Sequence, residues 1–334
     1  MKSIGIVGFA ISFGVIASFL YVVGLDKLIA LSHEMSYFYA GLAVMAYIFS
    51  SMLNAARWKH FISNMKMNAK FSIIYAITWI GAGINSITPL VISGGEPVKA
   101  YLLSKFSSSK KSETLASIVA VNVLEYGSFI VLDIIAVMII YMKLDLPAIV
   151  IYPLLATAGI GSIVLAIITY ASLNKSHSLK ITLFFTSILK KLKLFEKQIS
   201  AFEKNLMKNI ETFNKTLKHL SFRAILSAVS LSIMLRFMDV VRMYLIVYAF
   251  GVRIDPLFII IAFAFGTVAA VIPLLPGSVG AVEPAMVAGF MLGGMPLEIA
   301  TAVVIVDRAI VLGLNMIVGF SCMYILNNRI GVKG

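Results

Sequence analysis

Charged side chains inside apolar segments are the residues of this chain most able to do chemistry. A charge at the centre of a membrane costs about 2.5–3.5 kcal/mol on insertion scales, so such a residue needs a partner, a proton or water. One interpretation is an ion-pair network with a purely structural role. The other is a site that binds a polar or charged group. The candidate residues are Glu96, Glu125, Arg236, Asp239, Arg242, Glu283, Asp307 and Arg308.

The spacing of these charges indicates which of them share a helix face. Arg236, Asp239 and Arg242 lie three residues apart, so on a helix they form one row and partly neutralise each other. Asp307 and Arg308 are adjacent and point to different faces, so only one of them can face a shared cavity directly.

A segment rich in proline and glycine, residues 273–284 (PLLPGSVGAVEP), interrupts an apolar region. Its prolines break helices, and Gly277 and Gly280 permit backbone conformations that other residues resist. Helix ends exposed at membrane depth present free N–H groups, which suit a phosphate or a carboxylate. A tight turn between two ordinary spans is the alternative interpretation.

Two glutamates lie in interrupted segments of this kind. Glu283 ends the motif above, and Glu96 lies in a Gly-Gly-Glu-Pro segment at residues 94–97. Each is a candidate proton carrier, cation ligand or partner for an amine headgroup. The alternative is that each caps a short helix.

The composition identifies a membrane protein. Hydrophobic residues make up 60% of the 334 residues and charged residues only 13%, with a mean hydropathy of +0.98. A soluble domain carries about 25% charge. The net charge of +13 does not indicate nucleic-acid binding, because lysine and arginine cluster in short loops beside apolar segments.

The sequence offers no recognisable cofactor or metal site. The single cysteine, Cys322, lies in an apolar run and excludes a disulfide framework. The four histidines are scattered, and there is no phosphate-binding Gly-Lys-Ser/Thr loop, His-Glu-x-x-His pair or serine elbow. We therefore expect neither a cofactor nor a metal ion.

Six apolar segments reach the length of about 20 residues that a membrane span needs. Two further regions, residues 71–103 and 256–295, are interrupted by proline and glycine. Because lysine and arginine mark cytoplasmic loops, the loop with Arg57, Lys59, Lys66 and Lys70 is predicted to lie in the cytoplasm. We expect a multi-pass protein of the cytoplasmic membrane with both termini in the cytoplasm. The six predicted spans are residues 4–25, 37–56, 115–141, 148–173, 224–250 and 299–326.

The order of these elements predicts an inverted-topology repeat. Residues 37–141 form the first repeat and residues 224–326 the second, each with a span, an interrupted hairpin and a span, but in opposite directions. The predicted fold is an all-α polytopic membrane protein. It has about six full spans and two broken or re-entrant helical hairpins in a single transmembrane domain, residues 1–334.

The basic stretch between the repeats, residues 175–223, has apolar residues every three or four positions and lysines mostly elsewhere. This pattern predicts a cytoplasmic amphipathic helix that lies on the membrane surface near anionic headgroups. Docking of a protein partner is the alternative.

The motifs together resemble a known family. The sequence NSITPL begins at Asn85, GGEPVKAYLL begins at Gly94 and PGSVGAVE begins at Pro276, while Glu125 and the pair at 307–308 lie in spans. These features resemble the membrane domain of lysylphosphatidylglycerol synthases and their stand-alone relatives. The resemblance covers nearly the whole chain, and its most specific element is Pro-Gly-x-x-Gly-x-x-Glu.

The resemblance implies translocation of a lipid. Because the chain ends soon after its last predicted span, the resemblance does not extend to a synthase domain, and we expect no aminoacyl transfer. One departure stands out: the family commonly has Glu-Arg where this chain has Glu125-Tyr126. The charge partner of Glu125 must then come from another segment.

The sequence therefore predicts a flippase-like transporter of a phospholipid or polyprenyl-phosphate-linked headgroup, and a homo-oligomer is compatible with this function. Its expected partners are membrane lipids, either an anionic phospholipid or a polyprenyl-phosphate glycolipid. Arg236 and Arg242 would attract phosphate, while the acidic candidates and Arg308 would line or gate the path. An ion-coupled carrier of a small solute and a membrane-embedded transferase acting on a lipid-linked substrate are the alternatives.

Overall fold

The computed structural model describes residues 25–88, 94–143, 221–270 and 278–330, with isolated helical positions between residues 152 and 215. Several predicted elements fall mostly outside these residues. The predicted span 4–25 is described only at Leu25, the span 148–173 only at scattered helical positions, and the amphipathic helix 175–223 only at Glu211, Lys215 and residues 221–223.

All regular secondary structure in the described residues is α-helical, as predicted. Four helices, α2, α5, α6 and α9, are long and apolar enough to cross a membrane, and they match the predicted spans 37–56, 115–141, 224–250 and 299–326. The helices are α1 (Leu25–Glu34), α2 (Tyr37–Asn64), α3 (Phe71–Ile87), α4 (Gly95–Phe106), α5 (Lys111–Lys143), α6 (Phe222–Ala249), α7 (Pro256–Ala270), α8 (Val282–Leu292) and α9 (Leu297–Ile330).

Helix α2 continues well past the predicted end of its span at residue 56. Trp58, Phe61 and Ile62 repeat at helical spacing and are all buried, so the helix gains apolar contacts by continuing to Asn64. Arg57, which charge counting places in a cytoplasmic loop, is instead a buried residue of this helix.

Both interrupted regions are pairs of short helices separated by a break. Helix α3 ends at Ile87 and α4 begins at Gly95, while α7 ends at Ala270 and α8 begins at Val282. In each pair the second helix has proline at its third position. Proline is tolerated in a first helical turn because its missing N–H has no intrahelical partner there. The predicted interruptions are therefore confirmed, whereas their depth in the membrane stays a prediction.

Helices α2 and α6 pack against each other in antiparallel orientation. The backbone N–H of Ser36, just before α2, donates to the Ala249 carbonyl at the end of α6 (2.8 Å). At the other end, Ser227 Oγ lies 2.6 Å from His60 Nε2. This contact is the most extensive between any two of the described helices.

The remaining helices pack across the two halves of the chain. Helix α3 lies against α9, α5 lies against α7, and each short pair, α3–α4 and α7–α8, packs internally. The two largest clusters of buried apolar residues also divide by sequence. One consists of buried apolar residues between positions 55 and 121, together with Ala228 and Leu326. The other consists of buried apolar residues between positions 243 and 304, together with Ala43.

Candidate functional site

A cavity of about 410 Å³ lies among helices α2, α3, α4, α5, α6, α7 and α9. Charged, amide and hydroxyl groups line much of its wall, although the helices around it are mostly apolar. The polar lining residues are Tyr47, Ser50, Ser51, Asn54, Thr78, Asn85, Ser86, Glu96, Lys99, Asn122, Glu125, Tyr126, Arg236, Asp239, Arg242 and Asn315.

The cavity brings together half of the residues predicted from the sequence. Its lining includes Glu96, Glu125, Arg236, Asp239 and Arg242. The other predicted residues do not line it: Gly280, Glu283, Asp307 and Arg308 are placed elsewhere, and Gly277 lies outside the described residues.

The charge partner of Glu125 is Arg57 of helix α2. Arg57 Nη2 lies 2.8 Å from Glu125 Oε2 and 2.9 Å from Asn54 Oδ1, and Arg57 Nη1 donates to Ser232 Oγ at 2.8 Å. The Arg57 side chain is completely buried, whereas 31% of the Glu125 side chain is exposed toward the cavity. These contacts engage both terminal nitrogens of the buried guanidinium and join α2, α5 and α6, whereas Arg57 Nε has no hydrogen-bond partner among the described residues.

Sequence reasoning missed Arg57, although a signal was available. Arg57 lies three residues after Asn54, the spacing at which two side chains meet on one helix face. The buried residues that follow it also keep the helical period.

A second arginine-centred network lies on helices α6 and α9. Arg242 Nε donates to Asp307 Oδ1 at 2.8 Å, and Arg242 Nη1 donates to Asp239 Oδ1 at 2.9 Å. The other oxygen of Asp239 lies 3.0 Å from Arg236 Nη1. The Arg242 guanidinium also lies over the ring of Tyr47, 5.2 Å from its centroid. The row predicted from the three-residue spacing is thus present, with Asp307 as an additional acceptor.

These two networks have the same construction. Helices α2 and α6 both contain 28 residues, and Arg57 and Arg242 occupy the same position in them. Each arginine bonds the residue three positions earlier, Asn54 or Asp239. Each also bonds an acid on the last long helix of its own half, Glu125 or Asp307.

Glu96 lies at the second position of α4, at the edge of the cavity. Its Oε1 accepts from Asn85 Nδ2 at 3.3 Å and lies 3.5 Å from Lys99 Nζ. Its Oε2 is buried and has no hydrogen-bond partner among the described residues. Asn85 also accepts from the Gly95 N–H at 2.8 Å, so it fixes the start of α4. The Lys99 stem lies against Gly81, where a side chain would displace it.

Glu283, the corresponding residue of α8, forms a cap and an ion pair. Its Oε2 accepts from the Gly280 N–H at 2.5 Å, and Gly280 has a φ of 90°, which favours glycine. Its Oε1 lies 2.9 Å from Arg308 Nε. Adjacent Asp307 and Arg308 thus point to different faces, as predicted, but neither lines the cavity, because Asp307 holds Arg242 and Arg308 holds Glu283.

We expect Glu283→Gln to lower the free energy of unfolding by roughly 1–3 kcal/mol, because the change removes the charge that pairs with Arg308 and weakens the acceptor of the Gly280 N–H. The substitution should cost at least about 1 kcal/mol less in an Arg308→Met background, since the two residues are coupled. Unfolding of purified protein in mixed detergent micelles measures both values. Equal costs in the two backgrounds would show that the ion pair contributes nothing.

Comparisons with known proteins match the chain over almost its full length. The sequence model of the family described as "lysylphosphatidylglycerol synthase TM region" matches residues 5–319. A UPF0104 membrane protein of Methanothermobacter thermautotrophicus is 24% identical over 312 residues, which cover 93% of this chain and 92% of the relative. UPF0104 membrane proteins of Methanocaldococcus jannaschii (26%; 97% and 95% covered) and Pyrococcus horikoshii (27%; 93% and 93%) are also similar. No solved structure matches.

Proposed function

Because the chain belongs to the family of the lysylphosphatidylglycerol synthase transmembrane region, we propose that this multi-pass membrane protein is a flippase-like lipid transporter and not an enzyme. Its cargo is a phospholipid or a polyprenyl-phosphate-linked lipid of the cytoplasmic membrane. The observation that carries the proposal is the polar, ion-paired cavity enclosed by long apolar helices.

The distribution of apolar side chains supports movement of a lipid. The long helices expose many large hydrophobic residues on their outer faces, including Val131, Met138, Phe237 and Ile317, and such faces suit lipid chains. The headgroup would enter the cavity while its chains remain in the surrounding lipid.

The charges inside the cavity suit a headgroup that carries a phosphate. Arg236 and Arg242 line the wall and share one carboxylate, Asp239, so a phosphate can compete with Asp239 for their donors. Each acid that lines the cavity lies within ion-pair distance of a base, so the cavity wall carries little uncompensated charge.

We further propose that residues 37–141 and 224–326 form an inverted repeat, with both chain termini in the cytoplasm. The matched arginine networks and the antiparallel α2–α6 pair support this arrangement. The packing between the halves also supports it, because the first short helix of each half, α3 or α7, lies against the last long helix of the other half, α9 or α5. Transporters with inverted repeats hold their substrates near the bilayer midplane, where the two repeats meet.

Reconstitution into liposomes tests the proposal. Protein-containing vesicles should exchange acyl-labelled phosphatidylglycerol, or a labelled polyprenyl phosphate, between leaflets faster than protein-free vesicles, as measured by chemical quenching of the outer-leaflet label. If no labelled lipid moves faster, the proposal fails. Uptake of a small solute without lipid movement would instead favour the ion-coupled carrier.

Asp239→Asn should slow this translocation roughly ten-fold, because it removes the carboxylate that positions Arg236 and Arg242. A charge-assisted hydrogen bond contributes about 1.5–3 kcal/mol, and 1.4 kcal/mol corresponds to a factor of ten. Asp255→Asn is the matched control, since Asp255 is exposed before α7 and asparagine also caps helices. A variant Asp239→Asn as fast as the Asp255→Asn control would contradict the assigned role.

A further inference from the structure

The two arginines that line the cavity are neutralised by acids to different degrees. Arg242 donates hydrogen bonds to Asp307 at 2.8 Å and to Asp239 at 2.9 Å, and only 5% of its side chain is exposed. Arg236 lies near a single acid: its Nη1 is 3.0 Å from Asp239 Oδ2, and 14% of its side chain is exposed. Arg242 is therefore held by the protein, whereas Arg236 keeps more of its charge for a ligand.

An aromatic ring supports the Arg236 guanidinium. Its Cζ lies over the ring of Phe129, 3.9 Å from the ring centroid, well within the distance at which a cation and an aromatic face attract each other. Phe129 belongs to α5 and also lines the cavity, so the contact joins α5 to α6 at the cavity wall. Arginine that rests on an aromatic face keeps its N–H donors free at the edge of the guanidinium, because those donors lie in its plane.

The nitrogens of Arg236 differ in what can reach them. Nε is buried without a hydrogen-bond partner among the described residues, and it is the only nitrogen of Arg236 in that state. No described residue accepts a hydrogen bond from Nη2, so Nη2 is an accessible donor and not a buried one. Because Arg236 lines the cavity, an acceptor that enters the cavity can meet Nη2 without first breaking a hydrogen bond.

We propose that Arg236 is the residue that binds a phosphate group in the cavity, with Nη2 as its first donor, and that Phe129 is its positioning residue. A guanidinium edge matches two oxygens of a phosphate, and the Phe129 ring fixes the direction of that edge. That the phosphate belongs to a lipid headgroup rests on the proposed function, since free phosphate presents the same oxygens. Arg242 stays paired with its two acids and holds α6 to α9.

Thermal unfolding of the purified full-length chain tests the site without requiring transport. The sodium salts of dimethyl phosphate and of inorganic phosphate are compared with sodium chloride at constant ionic strength. A probe that binds only the folded protein should raise the unfolding temperature in a saturable manner, by about 2 °C at ten times its Kd. Tighter binding of dimethyl phosphate indicates the phosphodiester of a lipid headgroup, and tighter binding of inorganic phosphate indicates free phosphate or a phosphomonoester.

Phe129→Leu should raise the half-saturating concentration of the probe about five-fold, because Arg236 loses the ring that fixes its guanidinium. This concentration is read within each variant, so a change of stability alone does not move it. Phe129→Tyr should bind as the wild type does, since tyrosine also presents an aromatic face to a cation. The matched control is Phe237→Leu, beside Arg236 in sequence but 61% exposed. If Phe129→Leu does not fold, Arg236→Lys tests the same site, because an ammonium has no planar fork.

The inference is overturned if neither probe exceeds chloride, if folded Phe129→Leu or Arg236→Lys binds the probe as tightly as the wild type, or if Phe129→Tyr binds as weakly as Phe129→Leu. Its failure is distinguishable from failure of the proposed function. A probe response that Phe129→Leu weakens, in a protein that moves no lipid, keeps the site and rejects lipid translocation. Lipid movement without any probe response rejects the site alone.

Discussion

Arg57→Ala should lower the free energy of unfolding by about 3 kcal/mol, the largest loss we expect at any charged residue of the site. The substitution leaves Glu125 without its counter-ion and removes donors from Asn54 and Ser232. It also opens a void, because the Arg57 side chain is completely buried. The cost lies at the low end of the range for broken buried pairs, because Glu125 remains 31% exposed to the cavity.

A double-mutant cycle with Glu125→Ala separates the ion pair from the void. The combined variant should be at least as stable as Arg57→Ala alone, because it no longer holds an uncompensated carboxylate. Arg223→Ala is the matched control, since Arg223 is exposed in the first turn of α6 and its loss should change stability by less than about 0.5 kcal/mol. If the effects of Arg57→Ala and Glu125→Ala simply add, the two residues are not coupled and the ion pair does not stabilise the fold.

Gly83→Leu should separate helices α3 and α9 and should be among the most damaging apolar substitutions. A Cβ on Gly83 would lie 2.7 Å from the Asn315 carbonyl oxygen, and a Cβ on Gly319 would lie 2.6 Å from the Trp79 carbonyl oxygen. Both obstacles are backbone atoms, which cannot rotate away as a side chain can. Overpacking of a fitted core costs about 1–3 kcal/mol or more, and small residues let helices approach closely in membranes.

Gly313→Leu, on the same helix α9, provides the control for this contact. A Cβ on Gly313 would meet no atom within 4 Å, so we expect a stability within about 1 kcal/mol of the wild type. Unfolding in mixed detergent micelles compares the two variants directly. A Gly83→Leu protein as stable as Gly313→Leu would show that α3 and α9 are not held in close contact.

Local features predicted much of the fold. Apolar segments of membrane length fall on α2, α5, α6 and α9. Proline and glycine mark where α3 and α7 end before α4 and α8 begin. These predictions succeed because hydropathy and backbone conformational preference act over a few neighbouring residues.

The prediction for Arg57 failed for a tertiary reason. A charge at the end of an apolar segment is usually a loop residue, and only a distant partner makes burial within the helix favourable. That partner is Glu125, 68 residues further along the chain, with Ser232 a further acceptor 175 residues from Arg57. Neither spacing has a local signature.

The charged pair at residues 307 and 308 also shows what the local sequence predicts and what depends on distant partners. Adjacency on a helix was enough to predict that Asp307 and Arg308 face different ways. It did not predict that Asp307 would pair with Arg242 and Arg308 with Glu283, or that neither residue would line the cavity.

By itself, therefore, the sequence determined that this is an all-helical membrane protein with two interrupted regions, each carrying a glutamate. The structure places each glutamate in the first turn of the second helix of its pair. Only the tertiary structure decided which charges neutralise one another, as Arg57 does Glu125 and Arg242 does Asp307. The physical reason is the distance along the chain over which each effect acts. Hydropathy acts through the residues next to each other in the chain, whereas a buried charge is stable only through partners that packing brings to it from distant helices.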